Sequence, residues 1–144
     1  MSHLSLGLTF AAALALAACA TQPKPSPTPT LAQLAGEWRL DAIDGQPLAD
    51  TLRDKAPTLT IAADGKVSGY AGVNRYFGAI DTDALAAGRF DIPAVAITKM
   101  AGPPDRMKLE DDFTSRLDSA DAAAIASDVL VLSQAGAPTL QLSR

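Results

Sequence analysis

The stretch Asp64-Gly65-Lys66-Val67-Ser68-Gly69-Tyr70-Ala71-Gly72-Val73-Asn74-Arg75-Tyr76 decides how the chain is read. Asp64-Gly65 is a dipeptide favoured in two-residue hairpins. Before it, Thr58 to Ala62 alternates; after it, Lys66 to Ala71 runs as a second strand. The dipeptide is therefore expected to join two antiparallel strands. Gly69 and Gly72 read as relief of backbone crowding at a bulge or bend, with a ligand-binding loop as the alternative. Asn74 suits a left-handed or turn conformation that bonds nearby backbone.

Working outward, Gly36-Glu37-Trp38-Arg39-Leu40-Asp41-Ala42 alternates, with Trp38, Leu40 and Ala42 on one face. Phe77 to Asp81, Arg89 to Ile92 and Val95 to Met100 are further short strands. Ala123 to Ser127, Val129 to Gln134 and Thr139 to Leu142 read as a closing antiparallel meander. Val129-Leu130-Val131-Leu132 is apolar on both faces, which places that strand centrally. One helix interrupts the pattern, starting at Pro103-Pro104-Asp105 with Asp105 as N-cap. Leu109, Phe113 and Leu117 make an i, i+4, i+8 stripe that covers the open face or mouth of the sheet. The expected class is α+β: a small, mostly antiparallel sheet or partly open barrel of about seven or eight strands with one covering helix.

The beginning of the chain differs in kind. Leu4 to Ala18 carries no charge and falls short of the roughly 20 residues a spanning helix needs. It reads as a signal peptide. Leu16-Ala17-Ala18-Cys19 resembles the lipobox of bacterial lipoproteins, which implies cleavage before Cys19 and acylation of its thiol. Met1-Ser2-His3 departs from the usual basic n-region. Ala20, not Asp, follows Cys19, and by the same resemblance this leans toward the periplasmic face of the outer membrane. From Ala20 to Thr30, prolines alternate with polar residues, a pattern that favours extended polyproline II. At about 3.1 Å per residue the segment is a spacer of roughly 30 Å. The expected organisation is signal peptide 1–18, lipid-acceptor cysteine and tether 19–30, and one domain 31–144.

Composition excludes several classes for that domain. The single histidine is His3 and the single cysteine is Cys19, so residues 31–144 hold neither side chain. Ser-His-Asp and Cys-His catalysis, and metal sites built on His or Cys, are thereby excluded. No Gly-rich phosphate loop or dinucleotide fingerprint is present. Asp81 and Asp83 form a D-x-D pair, but Leu85 and Ala86 stand where a calcium loop needs an oxygen ligand and Gly. Glu110-Asp111-Asp112 reads as a solvated helix face. With 12 basic and 16 acidic residues and no basic patch, the chain is a poor nucleic-acid binder. The expectation is a non-enzyme without cofactor or metal. Its partners would be the membrane, through a lipid on Cys19, and an unidentified protein or small apolar ligand.

Several motifs then carry a resemblance. Leu34-Ala35-Gly36-Glu37-Trp38-Arg39-Leu40 resembles the opening L-x-G-x-W-x-L of the META/HslJ (DUF306-like) domain family. Asp64 to Tyr76 is similar to its central signature, a D-G turn leading to G-x-x-G-C-N-x-[YF]. Thr98-Lys99-Met100-Ala101-Gly102 resembles T-x-M-A-C, and Met107, Glu110, Phe113 and Leu117 match M-x-x-E-x-x-F-x-x-x-L. Where many relatives carry Cys, this chain has Val73 and Gly102; their joint loss is what a pairing of those positions as a disulfide in relatives would produce. The resemblance implies an envelope protein linked to heat shock, novobiocin tolerance, motility or secretion. It leaves open a binding or interaction module, a pilotin-like protein or apolar-ligand carrier, and an inhibitor of an envelope hydrolase. Tyr70, Asn74, Arg75 and Tyr76 are the candidate interaction surface, with sheet packing and turn formation as the alternative roles.

Overall fold

The computed structural model of the chain describes residues 27–144; the signal-peptide segment and Cys19 lie outside the described residues. The elements follow in chain order as α1 (Leu31–Leu34), β1 (Gly36–Ile43), β2 (Gln46–Pro47), α2 (Asp50–Arg53), β3 (Thr58–Ile61), β4 (Lys66–Tyr70), β5 (Arg75–Ala79), α3 (Thr82–Ala86), β6 (Ala96–Ile97), α4 (Pro104–Asp118), β7 (Ala122–Ala126), β8 (Val129–Gln134) and β9 (Ala137–Ser143). The strands form one antiparallel sheet in the order β6-β5-β4-β3-β1-β9-β8-β7, with β2 paired to β1 off that path. Among the described residues the sheet does not close, and β6 and β7 are its edges. This is the α+β, partly open sheet that the alternation foretold. Among the described residues no helix is long and apolar enough to cross a membrane.

Burial follows the alternation. Trp38, Leu40 and Ala42 of β1 face inward, as do Leu59 and Ile61, Leu130 and Leu132, and Leu140 and Leu142. The stripe Leu109, Phe113 and Leu117 brings α4 down on that surface, and Phe113 and Leu117 are fully buried. Each large apolar side chain removed from water contributes about 1.5–3 kcal/mol, so these few contacts carry the domain. Trp38 also satisfies its indole N–H, which donates to the Leu34 carbonyl at 2.8 Å. The Arg144 guanidinium lies 4.4 Å from the centre of the indole.

Four expectations fail locally. First, Asp64-Gly65 is not a two-residue hairpin. Ala62 and Lys66 close a three-residue loop, with the Gly65 N–H donating to the Ala62 carbonyl at 2.9 Å and Gly65 at φ +87°. That is a type I turn followed by a left-handed residue. Two-residue turns lie elsewhere: at Asp44-Gly45 and Ala135-Gly136, where both residues have positive φ, and at Ser127-Asp128, where Ser127 does. Second, Arg89 to Ile92 is no strand. Phe90 and Ile92 are buried, but the backbone is tied by single bonds, from Phe90 N to the Asp121 carbonyl and from Asp81 N to the Asp91 carbonyl. Third, Asp105 is not the N-cap of α4. Pro103 takes that place, Pro104 opens the helix, and Asp105 lies in the first turn, where its charge meets the helix dipole. Fourth, the described residues hold four helices, not one, though α4 alone is longer than five residues. Asp81 caps α3, accepting at 2.9 Å from both the Asp83 and Ala84 N–H groups. Strand β8 is flanked on both sides, yet it stands next to the edge, with Val129 and Val131 partly exposed.

Candidate functional site

The turn from Ala71 to Asn74, between β4 and β5, is where the chain's polar chemistry gathers. The Ala71 N–H donates to the Asn74 carbonyl at 2.8 Å. Gly72 has φ +139°, and a Cβ there would stand 2.8 Å from the Arg106 carbonyl, so only glycine lets the turn lie against α4. The Tyr70 hydroxyl donates to the Gly72 carbonyl.

Glu110 reaches into this turn from α4. One carboxylate oxygen accepts from the Val73 N–H at 2.9 Å and the Asn74 N–H at 2.6 Å; the other accepts from Asn74 Nδ2 at 2.7 Å. Asn74 reaches onward. Its Nδ2 donates to the Met100 carbonyl at 3.0 Å, while its Oδ1 accepts from Met100 N at 2.6 Å and Thr98 Oγ1 at 3.0 Å. Asn74 and Glu110 are 1% and 5% exposed. Two buried side chains thus bolt three segments together: the β4–β5 turn, the chain from Thr98 to Met100, and α4. Charged acceptors make such bonds stronger than neutral pairs. Among the described residues no buried side-chain nitrogen or oxygen lacks a partner.

The acidic run is therefore not one solvated face. Glu110 is interior, Asp111 is exposed, and Asp112 pairs with Lys108 at 2.5 Å. The signal was in the spacing, because Glu110 stands three residues before Phe113 and seven before Leu117, on the apolar side of the helix.

The four candidate surface residues separate. Asn74 and Tyr76 are interior, Tyr70 is partly buried, and Arg75 is exposed. The Tyr76 hydroxyl donates to the Thr58 carbonyl at 2.6 Å, and its ring meets Phe113 edge-on at 5.8 Å between centroids. Burial pushes this phenol far above its ordinary range, so it stays a donor. Gly69 makes room for it. A Cβ at Gly69 would lie 2.7 Å from the Tyr76 hydroxyl and 2.1 Å from the Thr58 carbonyl. The β4–β5 register runs unbroken through Gly69 and Tyr76, so Gly69 marks a close approach and not a bulge.

What the bolt leaves open is a groove between α4 and the segment containing β6. Its wider part, about 430 Å³, is lined by Ile97, Lys99, Met100, Met107, Asp111 and Thr114, among others. An adjoining hollow of about 310 Å³ shares Ile97, Asp111 and Thr114 and adds Val95, Ser115 and Asp118. Met100 is 60% exposed at the wider end. The tether arrives elsewhere. Thr28 Oγ1 donates to the Gly88 carbonyl at 2.9 Å, and Thr30 caps α1 in a capping box with Gln33. Leu31 lies 3.9 Å from the Cβ position of Gly65, at the opposite end of the β4–β5 pair from Asn74. Five strand residues separate those ends, about 17 Å. Among the described residues, no three His, Cys, Asp or Glu side chains gather as metal ligands would.

A family model described as META domain matches residues 30–144. Solved structures share the fold. A protein from Burkholderia xenovorans, solved by NMR, has 22% identity and a TM-score of 0.59, covering 85% of this chain and 92% of its own. A DUF4847 family protein from Bacteroides vulgatus has 17% identity and a TM-score of 0.52, covering 76% and 92%. A further NMR structure has 19% identity and a TM-score of 0.56, covering 74% and 86%. No curated protein matches the chain.

Proposed function

Because the chain belongs to the META domain family, we propose that it is a binding module of the bacterial envelope, held by a lipid on Cys19 at the periplasmic face of the outer membrane and acting in envelope maintenance or novobiocin-type stress tolerance. The observation that carries this reading is the groove beside α4. Its centre is rigid, because every polar side chain of the bolt holds backbone in place. Its lining sets two methionines, Met100 and Met107, among polar residues such as Lys99, Asp111 and Thr114, and Met surfaces adapt to varied partners. The described end of the tether supports the same reading: Thr28 and Leu31 meet the domain at the far end of the β4–β5 pair from Asn74, which leaves the groove's Met100 end uncovered by them. Trp38, Tyr76, Phe90 and Phe113 are buried in one core cluster, which favours a surface groove over an interior chamber as the binding site.

The test is complementation of a strain lacking the gene, challenged with novobiocin and with heat. Wild-type protein restores survival. Cys19→Ala and the pair Met100→Glu with Met107→Glu do not, at matched abundance. Full restoration by the Met pair would refute the groove as the working surface, and full restoration by Cys19→Ala would refute the anchor.

A further inference from the structure

We propose that the groove takes an extended peptide segment, which adds to β6 as one more strand and turns basic side chains toward Asp111 and Asp118; this rests on the groove reading above. The first observation is the edge itself. Strand β6 pairs with β5 through Tyr76–Ile97 and Phe77–Ala96, and the Thr98 N–H donates to the Arg75 carbonyl at 3.0 Å. Antiparallel pairs alternate between bonded and non-bonded. With Arg75–Thr98 bonded, Tyr76–Ile97 is the non-bonded pair, and the Ile97 N–H and C=O point away from β5. Ile97 lines both parts of the groove, and β6 has no second neighbour among the described residues. Unpaired strand groups facing a groove are what strand addition uses.

The second observation is the facing wall. Asp111 and Asp118 lie seven residues apart on α4, two turns and about 10 Å along one face. Both are exposed, and neither has a salt bridge among the described residues, whereas Asp112 has Lys108. Between them stand Thr114 and Ser115, polar and uncharged. A strand added at β6 turns every second side chain toward α4, at a spacing of roughly 7 Å, and lysine or arginine reaches both carboxylates from such positions. Lys99, at the other end of the groove, is the one basic side chain lining it, so the complementary segment is basic along the Asp111–Asp118 stretch only.

The test uses the full chain in dodecyl maltoside and the synthetic heptapeptide acetyl-Lys-Val-Lys-Val-Lys-Val-Lys-amide, followed by NMR titration. Binding shifts the Ile97 and Thr114 amide signals and slows hydrogen exchange at Ile97. Alternate N-methylation of the peptide weakens binding at least fivefold, as does the double change Asp111→Asn with Asp118→Asn. The Glu-Val counterpart does not bind. No binding, equal binding of the Glu-Val peptide, or undiminished binding of the methylated peptide overturns the proposal. If these arms fail while Met100→Glu with Met107→Glu still abolishes complementation, strand addition is wrong and the groove reading stands. If that pair complements fully, both fall.

Discussion

The Glu110 carboxylate bonds Asn74 twice, at its backbone N–H and at its side-chain amide, and these two residues are 36 positions apart. The pair joins the only long helix among the described residues to the turn that ends β4. Replacing Glu110 by Gln keeps the shape and loses one of the two acceptor oxygens. The new amide nitrogen would face a donor, either Asn74 Nδ2 or the paired backbone N–H groups. A buried donor left without a partner costs about 1–3 kcal/mol. Urea unfolding is expected to show that loss for Glu110→Gln, and a larger loss for Glu110→Ala. Unchanged stability in both would mean the bolt holds nothing.

Val73 and Gly102 meet across the same junction. A Cβ at Gly102 would lie 3.3 Å from the Val73 Cβ and 2.6 Å from its nearer methyl. Disulfides join Cβ atoms about 3.5–4.5 Å apart, so the two positions are close to bridging distance. The expectation from the family resemblance is supported in geometry. The double change Val73→Cys with Gly102→Cys is predicted to oxidise spontaneously and to add about 2–4 kcal/mol. Mobility on non-reducing gels and urea midpoints with and without reductant measure it; free thiols after air oxidation would reject the pairing.

The same contact predicts a coupling. Gly102→Ala crowds the Val73 methyls and is expected to cost about 1–3 kcal/mol, as overpacking does. In a Val73→Ala background it should cost less, because the clashing methyls are gone. A double-mutant cycle reads the difference. Strict additivity would show that the contact carries no strain.

Asp44 and Arg116 tie the β1–β2 turn to α4, with Nη2 to Oδ2 at 2.7 Å. The hydrogen bond from Arg116 holds the Asp44 carboxyl below its ordinary range. A carboxyl lowered in the folded state adds stability above its unfolded value, and that stability is lost as pH falls through the folded value. Asp44→Asn suits the left-handed backbone at that position, φ +49°. The variant is expected to be less stable than wild type at pH 7, with the gap narrowing below about pH 4. A gap that widens toward acid would reverse the sign of the argument.

The sheet was legible where its inward faces alternate, as in Trp38-Arg39-Leu40-Asp41-Ala42; the register shifts after Leu40 in β1–β9 and after Leu132 in β8–β9 leave no such mark. The turns were less so. Asp-Gly occurs at residues 44–45 and 64–65; the same dipeptide closes a two-residue turn in one place and the end of a three-residue loop in the other. Local sequence does not separate those outcomes, because the register comes from the paired strands. Arg89 to Ile92 alternates and buries Phe90 and Ile92, but among the described residues no strand pairs with it. Asn74 and Glu110 were both visible as members of motifs. Their connection was not, since a contact across 36 residues leaves no periodicity to read.

If the groove at Met100 is the working surface, two residues of comparable exposure tell it apart from the rest of the sheet. Met100 is 60% exposed and Phe77, on the outer face of β5, is 52% exposed. Simple stickiness would treat them alike. The measurement is photocrosslinking in intact cells with p-benzoylphenylalanine at either position. Discrete crosslinked species are expected from position 100, diminished by Asp111→Asn with Asp118→Asn, and none from position 77. Species from position 77 with none from position 100 would contradict the groove reading.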